Sequence, residues 1–191
     1  MEPTTKGYAL IACVKFAESH LSPASRERFF EKLSPEARAL VGGLRPNEWY
    51  PRARLIELFG AIASEYGESS EAHAALVRLG AGMAREMTNV FMRLVIRILT
   101  PALFAKKLPQ LFALDNRGGG RVEVDASRLG DQYLALTFKE MRGADYFAPI
   151  CEGWIRFFME SMGKRDISVN ADPWLLDSPG ADEFRLDVRW S

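Results

Sequence analysis

The sequence predicts an α+β fold in which a helical N-terminal half packs on a four-stranded antiparallel sheet in the C-terminal part. Three observations lead there. Apolar residues recur at three- and four-residue steps through most of residues 1–114, the period of helices with one buried face. At Gly118-Gly119-Gly120 the period changes to two, that of strands. Four alternating segments then follow, and one helical stretch divides them into pairs. Each has an apolar and a charged face, the mark of an antiparallel sheet wet on one side.

The elements follow in order. Residues 8–21 carry Leu10, Ile11, Val14, Phe16, Ala17 and Leu21 and read as a helix, although Tyr8 to Val14 also suits a short strand. Ser22-Pro23 and Ser34-Pro35 start two more helices, since proline suits the first helical position and serine the cap before it. Trp49-Tyr50-Pro51 precedes an amphipathic helix whose buried face is Leu55, Leu58, Phe59 and Ile62. Ser69 or Ser70 caps the next helix, which is rich in small residues, and Gly80-Ala81-Gly82 is where it bends or breaks. A helix near 88–99 is followed by one from Thr100-Pro101 to about Leu114, interrupted at Pro109.

The strand half opens with Arg121–Ala126 and Gln132–Lys139, a hairpin turned at Leu129-Gly130-Asp131. A helix at 148–162 covers the sheet. Asp145 or a residue just after it caps that helix, Pro149 lies in its first turn, and Gly163 ends it. Asp166–Asn170 and Glu183–Trp190 are the last two strands, joined by a turn at Ser178-Pro179-Gly180. One domain, 1–191, is expected, with 1–114 as its helical half and 115–191 as the sheet and its covering helix.

Composition excludes several classes. Lys plus Arg equals Asp plus Glu at 25 each, which argues against a nucleic-acid partner. The most apolar stretch, Val90 to Leu99, contains Arg93 and Arg97 and is too short for a transmembrane segment. The N-terminus lacks the pattern of a signal peptide, so a cytoplasmic location is expected. Cys13 and Cys151 are expected to be free thiols in a reducing compartment.

Four short motifs carry a resemblance. They are Lys6-Gly7 leading into the first helix and Trp49-Tyr50-Pro51 before a helix. Then come Pro101-Ala102-Leu103-Phe104 with Leu108-Pro109-Gln110-Leu111-Phe112, and Cys151-x-Gly153-Trp154 with Gly163 and a final Trp190. In order and spacing the chain resembles an uncharacterised bacterial paralogous family of the ligand-binding fold of nitric-oxide signalling and Golgi transport. That group includes haem-binding gas sensors, 4-vinyl reductase-like domains and subunits of the TRAPP vesicle-tethering complex. The resemblance implies a helical half followed by antiparallel strands. It also implies binding of haem, aromatic molecules, fatty-acyl chains or proteins.

The residues select among these. A haem sensor needs an axial ligand, commonly histidine, on a helix facing the pocket. The two histidines, His20 and His73, both lie early in the chain, and His73 sits in a polar helix start where a solvated ring is expected. The Tyr-x-Ser-x-Arg cluster that holds the haem propionates in gas sensors is missing. The sequence thus argues against haem and leaves any cofactor unknown. No metal site is expected, because the cysteines and histidines are scattered and Cys13 suits an apolar core. No catalytic residues emerge either. There is no Gly-x-Ser-x-Gly elbow, and Gly118-Gly119-Gly120 runs from helix to strand, opposite to a phosphate loop. Cys151, three residues into the covering helix, reads first as core packing. Its alternative is a thiol activated by the helix dipole.

The expected function is a non-catalytic regulatory or sensory domain that binds a small apolar ligand between the helical half and the sheet. Phe104, Phe112, Cys151, Trp154 and Phe158 are the candidate walls, among aromatic residues that include Phe157, Trp174 and Trp190. A protein signalling partner would read the bound state. The second expectation is a ligand-free interaction or adaptor module. It would work as a homodimer through the small-residue helix at 72–84, with Ala75, Leu79 and Gly82 at the interface. An enzyme acting on a small aromatic is a third reading, with no catalytic group to support it.

Overall fold

The computed structural model describes residues 2–88, 96, 98–172 and 180–191. Its helical half comprises α1 (Gly7–His20), α2 (Pro23–Lys32), α3 (Pro35–Val41), α4 (Arg52–Ala63), α5 (Ser69–Met87) and α6 (Pro101–Asp115). Side-chain caps explain three of the starts. Ser22, Ser34 and Thr100 accept the backbone N–H groups of Ser25, Ala37 and Leu103 at 3.2 Å, each with proline in the following position. Residues 8–14 are helical throughout, so the strand alternative for that stretch falls. Glu68, not Ser69 or Ser70, occupies the cap position of α5. Most of the helix expected near 88–99 lies outside the described residues, as do Trp174, Ser178 and Pro179.

Two expected interruptions do not occur. α5 runs unbroken through Gly80-Ala81-Gly82, and α6 runs through Pro109. The Gly80 position explains the first case. A side chain there would overlap the Ile150 carbonyl of the helix packed against it, so the glycine serves close approach rather than a bend.

The larger sheet is formed by β4 (Arg121–Asp125), β5 (Tyr133–Lys139), β6 (Ser168–Asp172) and β7 (Phe184–Arg189), in the order β4-β5-β7-β6 and antiparallel throughout. The register places Val122 opposite Phe138, Leu136 opposite Leu186, and Leu134 opposite Val188. All six are buried and share one face, as the alternation requires. Phe138 stacks on Phe184 with ring centres 4.6 Å apart.

The covering helix α7 spans Ala144–Ser161. It therefore starts four residues before the expected 148, after Gly143 in the left-handed conformation at φ 76°. Pro149 consequently lies in the second turn. Gly163, at φ 78°, ends the helix as expected. Helix α7 is wedged between the sheet and α5, and α6 lies along β4.

A second sheet was not foreseen. β1 (Thr4–Lys6) pairs with both β2 (Trp49–Pro51) and β3 (Asn116–Arg117), placing Thr5 opposite Tyr50 and Asn116. This clasp joins the start of α1, the start of α4 and the end of α6. Trp49 lies between the Lys6 ammonium at 4.2 Å and the Arg117 guanidinium at 3.9 Å.

Candidate functional site

The clasp and the three helices it joins leave a gap against α7. A cavity of about 80 Å³ lies there, bounded by α1, α6, α7 and the β5 residue Phe138. Its walls are mainly apolar, among them Leu55, Met83, Leu108, Phe112, Ile150 and Trp154. Polar atoms enter at one end, from Thr5, Tyr8, Asp115 and Asn116.

The Tyr8 hydroxyl and the Asp115 carboxyl interact. Burial raises the Asp115 pKa above the usual carboxylate range, even though the Tyr8 hydrogen bond and the Lys6 charge act in the opposite sense. Burial and the neighbouring Asp115 likewise raise the Tyr8 pKa. Asn116 is fixed from both sides. Its carbonyl accepts from Arg52 Nη2 at 2.6 Å, and its amide donates to the Phe112 carbonyl at 3.0 Å.

Of the residues singled out from the sequence, Phe112, Cys151 and Trp154 line this cavity. Phe104 and Phe158 do not. They are 1% and 3% exposed and stack on each other at 5.6 Å, while Trp154 packs on Phe158 at 4.2 Å. These two rings form a layer behind the Trp154 wall. Trp190 is buried just past the end of β7, where its backbone N–H bonds to the Gln132 carbonyl.

Cys151 lies two turns into α7, not three residues in, because the helix starts at Ala144. The dipole effect is confined to the first turn and does not reach it. Burial instead pushes the thiol up to about 12, with the Arg52 charge pulling weakly the other way. Burial therefore favours the neutral thiol at neutral pH. Cys13 is fully buried, and burial raises its pKa as well.

The two histidines lie elsewhere. His20 stacks on Phe16 at 4.3 Å at the end of α1. His73 is not solvated: its Nε2 lies 2.9 Å from Glu152 Oε2, and the other Glu152 oxygen lies 3.3 Å from Arg156. Neither histidine lines the cavity. Among the described residues, no group of His, Cys, Asp or Glu is placed to hold a metal ion.

Ala75 and Leu79 are 0% and 1% exposed. They are buried within the chain, so they cannot form the dimer surface expected of them. The small residues of α5 serve the intramolecular contact with α7. Gly82 faces outward, into a groove between α1 and α5 that Ala81 also lines.

The whole arrangement can be matched to solved structures. An H-NOX protein from S. oneidensis in the Fe(II)NO ligation state superposes with a TM-score of 0.68, covering 97% of this chain and 99% of that one at 13% identity. The fold is that of H-NOX domains. An unliganded Fe(II) H-NOX protein from K. algicida gives a TM-score of 0.71 at 10% identity, covering 97% and 96% of the two chains. An oxygen-binding H-NOX domain related to soluble guanylate cyclases gives 0.58 at 14% identity, covering 97% and 94%. No family model and no curated protein matches the chain.

An H-NOX fold raises the question of haem, and the residues here do not fit it. The cavity of about 80 Å³ is well below the roughly 300–1,000 Å³ of sites for drug-sized ligands. Neither histidine lines it, so the usual axial ligand of haem is missing from its walls. The Phe104–Phe158–Trp154 layer occupies the space behind its wall.

Sequence reasoning missed Tyr8, Asp115, Asn116 and Arg52. The Trp49-Tyr50-Pro51 segment before a helix was the available signal. Pairing of β1 with both β2 and β3 brings the four residues together.

Proposed function

We propose that this chain is a non-catalytic regulatory domain of H-NOX fold that holds a small apolar molecule in the cavity between α1, α6 and α7. The carrying observation is the character of that cavity: apolar walls with a half-buried polar pair, Tyr8 and Asp115, at one end. Such a site orients a small guest by one polar contact and holds it by apolar burial. An apolar cavity of about 150 Å³ accepts benzene or xenon, so a guest for this smaller space is of few atoms unless Trp154 swings aside.

Occupancy would be read through α7. Trp154 touches the cavity and also the Phe104–Phe158 pair that joins α7 to α6. Displacing its ring would move the two helices relative to each other and alter the surface offered to a signalling protein. The proposed setting is cytoplasmic. Both cysteines are free, and among the described residues no helix is long and apolar enough to cross a membrane.

The test is the mass of the purified protein measured under native and denaturing conditions. A mass excess lost on denaturation supports the proposal and gives the size of the guest. Equal bare masses, together with no perturbation of Trp154 fluorescence by xenon or small alkanes, would overturn it and leave an interaction module.

A further inference from the structure

Arg52 opens α4, yet it is only 2% exposed. A guanidinium has five N–H donors. Here Nη2 bonds to Asn116, Nη1 lies 3.9 Å from the weak acceptor Met141 Sδ, and Nε has no partner. The Phe147 ring lies 5.3 Å from its central carbon. Among the described residues no carboxylate pairs with it. Burial lowers its pKa to about 10, which still leaves it charged at neutral pH. A buried cation with no anion and an idle donor is a costly arrangement for a fold to retain.

Arg52 also forms part of the wall of an open cleft of about 350 Å³, which shares no lining residue with the apolar cavity. The rest of that cleft is Glu2, Pro3, the loop Gly118-Gly119-Gly120, Glu140 and Arg142. Gly118 and Gly120 are left-handed at φ 69° and 80°. Successive amides around such residues make concavities that suit anions. A side chain at Gly119 would begin 2.9 Å from Arg52 Nη1 and 2.9 Å from Pro3, so it would close the cleft over the guanidinium. Of the two carboxylates present, Glu140 is engaged by Arg121 and Glu2 is exposed.

We propose that this cleft binds an oxyanion group, a phosphate or a carboxylate, which takes the spare donor capacity of Arg52 Nη1 beside Gly119 and is flanked by Arg142 and the glycine loop. The site is separate from the apolar cavity, and Asn116, which lines that cavity, bonds to Arg52 from its side. Charge-assisted hydrogen bonds from a guanidinium are the usual means of holding such oxygens.

Thermal unfolding of the whole chain tests this, with inorganic phosphate, acetate and sodium chloride compared at equal ionic strength. Phosphate or acetate is expected to raise Tm beyond chloride, because an anion bound only by the native state stabilises it. A phosphate response alone assigns a tetrahedral anion, and an acetate response assigns a carboxylate. Arg52→Met should abolish the excess shift and, without anion, be at least as stable as the parent. Gly119→Ala should abolish the shift while retaining Arg52, and it carries the test if Arg52→Met does not fold. No excess over chloride overturns the proposal, as does an excess that survives in either variant.

Discussion

Gly153 of α7 lies directly on the main-chain carbonyl of Val77 in α5, so that a methyl group at position 153 would overlap that oxygen. Gly80 of α5 meets the Ile150 carbonyl of α7 in the same way. The two helices thus approach backbone to backbone through reciprocal glycines, and the α7 wall of the cavity is set by that contact. Gly153→Ala should destabilise the protein by about 1–3 kcal/mol through overpacking, outweighing the ~1 kcal/mol that alanine gains in a helix. Gly82→Ala is the control. A side chain there meets no described atom, so only the helix gain of about 0.5–1 kcal/mol should appear. Urea unfolding midpoints of the two variants should move in opposite directions.

Trp154→Ala removes one wall of the cavity and the ring that packs on Phe104 and Phe158. A loss of about 3 kcal/mol is expected, the lower end of the range for large aromatic truncations because the ring is half-buried. The variant should remain folded and take up xenon more readily than the parent. Xenon-induced NMR shifts confined to residues around Ile150 and Phe112 would show it.

Asp115 should make the protein less stable as pH rises. Its folded-state pKa is raised, so the native state holds the proton more tightly than the unfolded chain does. The corresponding stability is complete below the unfolded value of about 3.9 and is lost as pH rises through the folded value. Asp115→Asn retains an acceptor for Tyr8 without the charge. It should be more stable than the parent at pH 7, and the advantage should shrink to nothing near pH 4.

Glu65 behaves in the opposite sense. Burial acts to raise its pKa, but hydrogen bonds from Lys32 at 2.6 Å and Arg28 at 2.8 Å outweigh burial and hold it low. Its contribution is present above the unfolded carboxylate value of about 4.3 and is lost as pH falls through the lower folded value. Glu65→Gln should cost about 1–3 kcal/mol at pH 7, in keeping with hydrogen bonds to a charged group. The two proteins should converge in acid, and unfolding curves across pH 3–7 would show the crossing of the Asp115 and Glu65 effects.

The larger sheet was legible because burial on one face leaves a period-two signature in the sequence. Val122, Leu134, Leu136, Phe184, Leu186 and Val188 all fall on the face that the alternation assigns to them. Helix starts at Ser22, Ser34 and Thr100 were legible because capping is local chemistry. The clasp was not, since strands of two or three residues carry no period and depend on a partner more than forty positions away. Nor was the role of the α5 glycines. A glycine that bends a helix and one that admits a neighbouring carbonyl look alike in sequence, and only the packing of α7 distinguishes them. Arg52 was hidden for a similar reason. It opens an amphipathic helix, where an arginine is ordinarily solvated, and it is buried by β3 and the glycine loop from the other half of the chain.

The strand order β4-β5-β7-β6 also constrains how the chain reaches this state. β4 and β5 adjoin in sequence and can pair as soon as both exist. β6 has no edge to join until β7 arrives, because β7 lies between it and β5. The segment 184–189 is therefore the keystone of assembly: half of the sheet waits for it, and so does α7, which packs on β6 and β7. A slow phase that registers burial of Trp190, next to β7 and bonded to Gln132, should report this final closure separately from hairpin formation.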